Sequence, residues 1–187
     1  MGGLTHPVCR SPHSIDGVFP SLVYKGIVKK LVYTFKYPPY ITDLLSQLEA
    51  LLYEGIIQKE GLHTILQKQP VFVPIPLHKN KLRKRGYNQS ALLAKALAKR
   101  FALPMIPLLE RNKDTKTQVG LSKEERQKNI QNAFRIAPKY SGSIKQYETV
   151  ILVDDVVTSG STLKECAKVL KRAGVKQVWA VTLAHGE

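Results

Sequence analysis

The sequence predicts an α/β protein built on a mostly parallel sheet flanked by helices, and three observations carry that expectation. Short apolar runs alternate with amphipathic segments along the 187 residues. The strongest run, 149–153 (TVILV), passes through a polar turn directly into a helical pattern. Another run, 178–183 (VWAVTL), follows that helix. Strands that are almost continuously apolar and separated by helices are covered on both faces, as parallel strands are. The length favours one domain, and no internal repeat or low-complexity tract is visible.

In chain order, residues 22–36 place Val23, Ile27, Val28, Leu31, Val32 and Phe35 at helical spacing, with Lys25, Lys29, Lys30 and Lys36 on other faces. Pro38 and Pro39 stop this helix. A second amphipathic helix spans 41–57 through Ile41, Leu44, Leu45, Leu48, Leu51, Leu52 and Ile56. Residues 70–76 (PVFVPIP) read as a buried strand closed by prolines, followed by a basic loop from Leu77 to Gly86. Residues 88–102 are rich in helix formers, with Leu92, Leu93, Ala96 and Leu97 on one face. Met105 to Leu109 reads as a short strand, and Arg111 to Leu121 as a mobile polar loop. Ser122 and Glu125 have capping-box spacing for a short helix reaching about Asn132. The helix after the 149–153 strand runs to Ala173, with Gly174 suited to a left-handed end.

Charge is unevenly placed. Lys and Arg number 29 against 14 Asp and Glu, for a formal charge of +15. From Gly61 to Leu109 there is no acidic residue, while Lys68, Lys79, Lys81, Arg83, Lys84, Arg85, Lys95, Lys99 and Arg100 are all basic. Such asymmetry suits a polyanion, either nucleic acid or a phosphorylated small molecule. No apolar run approaches the roughly 18 residues of a membrane span, which excludes a transmembrane class. Two cysteines, Cys9 and Cys166, cannot build a disulfide framework, and MGGLTHPVCR has no secretory pattern. A reducing, cytoplasmic setting is the expectation.

The chemistry concentrates where the strong strand ends. Asp154 and Asp155 precede Thr158, Ser159, Gly160, Ser161 and Thr162, which open the next helix. This is the carboxyl edge of a parallel strand, where open α/β sheets bind ligands. The unpaired N–H groups and dipole of a helix start favour an anion, and Gly160 permits close backbone approach. Two carboxylates beside a phosphate cradle would repel the phosphate unless ribose hydroxyls or Mg²⁺ lie between them. A phosphorylated sugar satisfies both halves. There is no GxGxxG after a strand and no GxxxxGK followed by Ser or Thr.

The segment 151–162 (ILVDDVVTSGST) resembles the diphosphate-sugar signature of the type I phosphoribosyltransferases, which bind phosphoribosyl pyrophosphate. The match is similar more narrowly to the competence protein F (ComF/ComFC/GntX) family. It is carried by 73–77 (VPIPL), 83–89 (RKRGYNQ), Arg111, Thr117, Gln118, Leu121, Arg126, Asn129, Ala133 and Phe134, and by the Lys36-Tyr37 pair. The likeness covers about 17–187 and implies three parts: 1–16 as a disordered remnant of a zinc module, 17–66 as a helical hood, and 67–187 as a phosphoribosyltransferase-like core. It implies that Asp154 and Asp155 are catalytic, holding the ribose hydroxyls directly or through Mg²⁺. Thr158 to Thr162 would surround the 5-phosphate. Arg83, Arg85 and Gly86 would meet the pyrophosphate, and a loop over 111–129 bearing Arg111, Lys113 and Arg126 would close over the bound sugar diphosphate, with Arg111 among the substrate-binding residues. It further implies a pentosyl transfer with release of pyrophosphate, and a link to DNA uptake in natural transformation. Single-stranded DNA, with Lys79, Lys81 and Lys84 as contacts, and competence helicase machinery are the partners it suggests. His78 and His185 lie where a base could act, although a lone His is more often structural. His6 and Cys9 are two zinc ligands where four are needed. The alternative reading is a non-catalytic module of the same fold that binds single-stranded DNA, with tyrosines such as Tyr24, Tyr33 and Tyr37 stacking bases.

Overall fold

A five-stranded sheet of order β1-β2-β7-β6-β3 forms the spine of the chain. Its strands are β1 (Gly3–Leu4), β2 (Gly17–Val23), β3 (Val71–Pro74), β6 (Thr149–Val157) and β7 (Gln177–His185). The structure is a computed structural model and describes residues 3–4, 12–37, 44–115 and 122–186. All neighbouring strands run parallel except β1, which pairs antiparallel with β2. The helices are α1 (Gly26–Lys36), α2 (Leu45–Ile57), α3 (Leu62–Leu66), α4 (Lys79–Arg85), α5 (Gln89–Phe101), α6 (Lys123–Ile130) and α7 (Ser161–Arg172). A small antiparallel pair, β4 (Leu109–Arg111) and β5 (Phe134–Ile136), stands outside the main sheet. This is the expected mostly parallel sheet flanked by helices.

Strand alternation sorts the core into two layers. Val150 and Leu152 of β6 face Leu163, Cys166, Ala167 and Leu170 of α7. Ile151 and Val153 face the other way, into a layer shared by Phe35 of α1, Leu48 and Leu52 of α2, and Leu93 and Leu97 of α5. The segment 17–66, read as a hood, thus contributes β2 to the sheet and shares its apolar core with α5. The backbone of α2 lies hard against β2, because Gly55 presents no side chain there: a Cβ would stand 2.8 Å from the Cα of Ser21.

Several boundaries differ from the sequence expectation. Leu22 and Val23, expected in a helix, end β2, and α1 begins only at Gly26. Periodicity could not separate them because Val23 is an exposed apolar residue at a helical spacing. The expected basic loop contains the helix α4, started by the His78 ring, which accepts from the Asn80 N–H at 3.4 Å, and stopped by Gly86 at φ 81°. The expected 105–109 strand reduces to a bridge between Met105 and Phe72, with the strand proper beginning at Leu109 beyond Pro107. On α5 the buried stripe is Leu93, Ala94, Leu97 and Ala98 rather than Leu92, Leu93, Ala96 and Leu97. The capping box forms as expected, with Ser122 N–H donating to Glu125 at 2.7 Å and Glu125 N–H to Ser122 at 3.2 Å. Gly174 takes φ 110°, as its position required. The readings on His6, Cys9, Pro38 to Asp43, Thr117, Gln118 and Leu121 lie outside the described residues.

Candidate functional site

The site begins with a crevice that prolines open. The β3 ladder ends at Pro74, opposite Val153, and after one further bond from Ile75 N–H to Val153 the two chains part. Strand β6 continues for four residues paired only with β7, through Asp154 opposite Thr182 and Val157 opposite His185. The chain leaving β3 crosses to α5 on one face, whereas the chain leaving β6 enters α7 on the other. Adjacent parallel strands whose following helices take opposite faces make a switch point, the position at which such sheets bind ligands.

At that point the segment Thr158 to Thr162 turns from β6 into α7. Gly160 caps α7 in the left-handed region at φ 71°, a conformation that glycine adopts without steric penalty. The Ser159 and Ser161 hydroxyls lie 2.7 Å apart, and no acidic residue occupies the first turn of α7. The helix start therefore keeps its positive end for an anion, while the Ser161 N–H donates to the Ser159 hydroxyl at 3.4 Å. Asp154, Val156, Val157 and Thr158 to Leu163 line one recess. All five predicted phosphate-loop residues and Asp154 are brought together there.

The two carboxylates have different surroundings. The Asp154 Oδ1 accepts from the Ser90 hydroxyl and from the Asp155 N–H, each at 2.9 Å. Burial, then the neighbouring Asp155 charge, push its carboxyl up to about 7 against the opposing pull of Lys36 and these donors. Asp155 is buried, and its Oδ1 lies 2.7 Å from the Lys36 ammonium at the end of α1. Burial alone would lower the Lys36 ammonium, but Asp155 beside it and Asp154 beyond hold it above the usual lysine range.

The basic residues of α4 and β4 form a second group, whose Arg111 lies close enough to Asp154 to feel its charge. The Lys81 ammonium donates to Thr115 O at 3.0 Å, and burial together with the Arg111 and Arg85 charges lowers it. Arg111 lies over the Phe134 ring at 5.4 Å and donates to the Thr115 hydroxyl. Its buried Nε finds no hydrogen-bond partner among the described residues. Arg85 donates to Gln89 at 2.7 Å and lies over the Tyr37 ring at 5.6 Å. Lys81, Arg85 and Arg111 therefore converge. Arg83 bonds Asn80 on the exposed side of α4, and Lys79 and Lys84 are exposed there. Gly86 closes α4 and touches nothing that a Cβ would displace. His78 is buried as the α4 cap, 3.4 Å from Asp114, and His185 ends β7 in the open.

Helix α6 reaches the 158–162 turn. Its Arg126 donates to the Thr158 hydroxyl at 3.0 Å, and Glu165 of α7 accepts the Asn132 N–H at 2.9 Å. The buried Arg126 Nε also lacks a partner among the described residues. Sequence reasoning missed Ser90 and the role of Lys36. Ser90 looks like part of the Asn88 cap, and Lys36 is one more lysine on a lysine-rich helix. Among the described residues no group of three His, Cys, Asp or Glu is arranged to hold a metal ion, and no helix is long and apolar enough to cross a membrane.

Comparison with known proteins adds independent findings. Residues 87–187 match the phosphoribosyl transferase domain model. Competence protein F of Haemophilus influenzae is 38% identical over 140 residues, covering 73% of this chain and 60% of that protein. The DNA utilization protein YhgH of Escherichia coli K12 is 33% identical over 167 residues, covering 82% of this chain and 71% of its own length. Competence protein ComFC of Bacillus subtilis is 31% identical over 107 residues, covering 57% of this chain and 40% of its own. The chain thus spans 60% of the length of the Haemophilus relative.

Proposed function

We propose, on the premise that this chain belongs to the phosphoribosyl transferase domain family in the group of competence protein F and YhgH, that it binds phosphoribosyl pyrophosphate with Mg²⁺ and transfers the phosphoribosyl group. The observation that carries this reading is an anion cradle, Thr158 to Thr162, in one recess with Asp154, together with three mutually close cations, Lys81, Arg85 and Arg111, of which Arg111 also feels the Asp154 charge. A 5-phosphate suits the α7 start, a ribose diol suits Asp154, and a diphosphate suits the three converging cations.

The donor set fits Mg²⁺ in the way that ion is usually held, by one or two carboxylates plus substrate phosphates and water rather than by a closed protein cage. Asp154 and Asp155 are the residues that would approach it. When bound, it would neutralise the diphosphate and ease its departure from the anomeric carbon. The protein's own contributions follow from its geometry. Asp154 orients the ribose, while the Arg111 and Arg126 guanidinium groups supply positive charge to ligand oxygens. Helix α6, joined to Thr158 through Arg126, is the element placed to shield the activated sugar from water.

A second reading has a specific observation in its favour. Lys79 and Lys84 project from α4, Tyr33 is 58% exposed on α1, and Lys25, Lys29 and Lys30 are exposed nearby in sequence. Charge beside an exposed ring suits single-stranded DNA, and the names of the relatives refer to competence and DNA utilization.

Titration calorimetry with phosphoribosyl pyrophosphate and Mg²⁺ tests the first reading. Binding is expected to weaken at least tenfold in Asp154→Ala. Equal affinity in the variant would remove the ribose assignment.

A further inference from the structure

The C-terminal end of α1 is tied to the site at several points. Val32 and Phe35 are the buried residues of α1, while Ile27 and Tyr33 on the same helix stay largely exposed. The Phe35 carbonyl accepts from the Tyr87 hydroxyl at 2.6 Å and from the Gln89 amide at 3.2 Å. Tyr37 lies under the Arg85 guanidinium. Between these contacts, the Lys36 side chain enters the crevice and meets Asp155 at 2.7 Å, where the lysine side chain is 23% exposed and the aspartate 8%.

Two neighbouring carboxylates in a half-dry crevice carry a charge that must be met by something. A divalent cation, a protonated carboxyl or a basic side chain could each do so. Here a basic side chain does. The Asp154 Oδ1 is occupied by the Ser90 hydroxyl and the Asp155 N–H, and the Asp155 Oδ1 by an ammonium. The acidic pair therefore has one fixed positive charge of its own, supplied from a helix that precedes the matched domain at 87–187.

We infer that Lys36 is the resident cation of the acidic pair: a positioning residue that occupies Asp155, keeps the unliganded pair from collecting a divalent metal ion, and leaves Asp154 as the carboxylate presented to the ligand. Divalent metal then enters with the diphosphate it accompanies and not beforehand. The identity of the ligand rests on the phosphoribosyl pyrophosphate reading above; the role of Lys36 in the unliganded chain does not. An ammonium lost from beside Asp154 and Asp155 leaves their oxygens without a fixed counter-charge, the kind of donor that Mn²⁺ and Mg²⁺ take.

The test uses Mn²⁺ alone, followed by electron paramagnetic resonance on the full chain without ligand. The wild type is expected to bind Mn²⁺ only at the background level of exposed carboxylates. Lys36→Met is expected to gain a site at least tenfold tighter, and added Mn²⁺ is expected to raise its melting temperature. Lys36→Arg, which keeps the charge, is expected to behave as the wild type, and Lys36→Met/Asp155→Asn to lose the new site. A merely structural lysine would move stability without creating a metal site. If Lys36→Met does not fold, Lys36→Gln carries the same comparison, since it keeps a donor to Asp155 without the charge. Unchanged Mn²⁺ affinity in a folded uncharged variant overturns the inference, as does tight Mn²⁺ binding by the wild type that Asp155→Asn abolishes. In a parallel arm, failure of the wild type to bind phosphoribosyl pyrophosphate with Mg²⁺ would overturn the ligand reading and leave the Mn²⁺ result to decide on Lys36.

Discussion

Asp154 carries an energetic cost that its position explains. Its carboxyl is held at about 7 in the folded chain by burial and by Asp155, against 3.8 for an ordinary aspartate. The folded state therefore keeps the proton that the unfolded state has released, and stability falls as pH rises from about 4 to about 7 and levels off above. Each pH unit of separation is worth about 1.4 kcal/mol, so ionising Asp154 costs the unliganded fold on the order of 4 kcal/mol at most. Asp154→Asn is expected to flatten this part of the urea-midpoint profile and to be the more stable chain at pH 8. A profile that keeps the same slope in the variant would place the cost elsewhere. Such a cost is what a group kept for a ligand bears until the ligand's hydroxyls arrive.

At the scale of elements, the packing of α2 on β2 depends on a missing side chain. Gly55 sits where any Cβ would come within 2.8 Å of Ser21 Cα, and the Ser21 hydroxyl donates to Leu52 O at 2.8 Å across the same seam. Gly55→Ala is expected to destabilise the chain by about 1–3 kcal/mol in urea unfolding, since backbone has to move. Gly86→Ala meets no atom and is expected to cost only its left-handed conformation, about 1 kcal/mol. The elements that sequence made legible are those with strong local signals: β6 with its continuous apolar run, α7 with Gly174 behind it, and α6 with its capping box. Strand β2 was not legible because GVFPSLV carries a proline and a serine and alternates weakly. Pro20 is tolerated because, among the described residues, β1 pairs only with Gly17 and Val18 and leaves the open side of β2 beside Pro20 without a ladder partner. Helix α4 has no apolar stripe, so only its two ends marked it, and those read as loop residues.

Over the whole molecule, the +15 charge resolves into parts with different surroundings. Lys81, Arg85 and Arg111 group together, Lys36 answers Asp155, and Lys79, Arg83 and Lys84 are exposed on α4. The 158–162 turn and Asp154, which line one recess, were legible as one contiguous motif. Lys36 and Ser90 were not, since they reach the site from elements far away in sequence, and a lysine facing a carboxylate has no local signature. Single-stranded DNA, if it binds the outer face, is expected to lose affinity steeply between about 50 and 200 mM salt. Lys79→Ala/Lys84→Ala is expected to reduce that slope while leaving phosphoribosyl pyrophosphate affinity within about twofold; an unchanged slope would exclude α4 as the contact. For the site itself the most direct measurement is the melting temperature with and without phosphoribosyl pyrophosphate and Mg²⁺. A ligand at about 100 times its Kd adds about 2.7 kcal/mol to the folded state, a rise of roughly 5–10 °C for a chain of this size. That rise is predicted for the wild type and is predicted to vanish in Gly160→Val, where a branched side chain cannot hold the φ 71° turn. No rise at millimolar ligand, or the same rise in Gly160→Val, would contradict the assignment of this loop as the phosphate cradle.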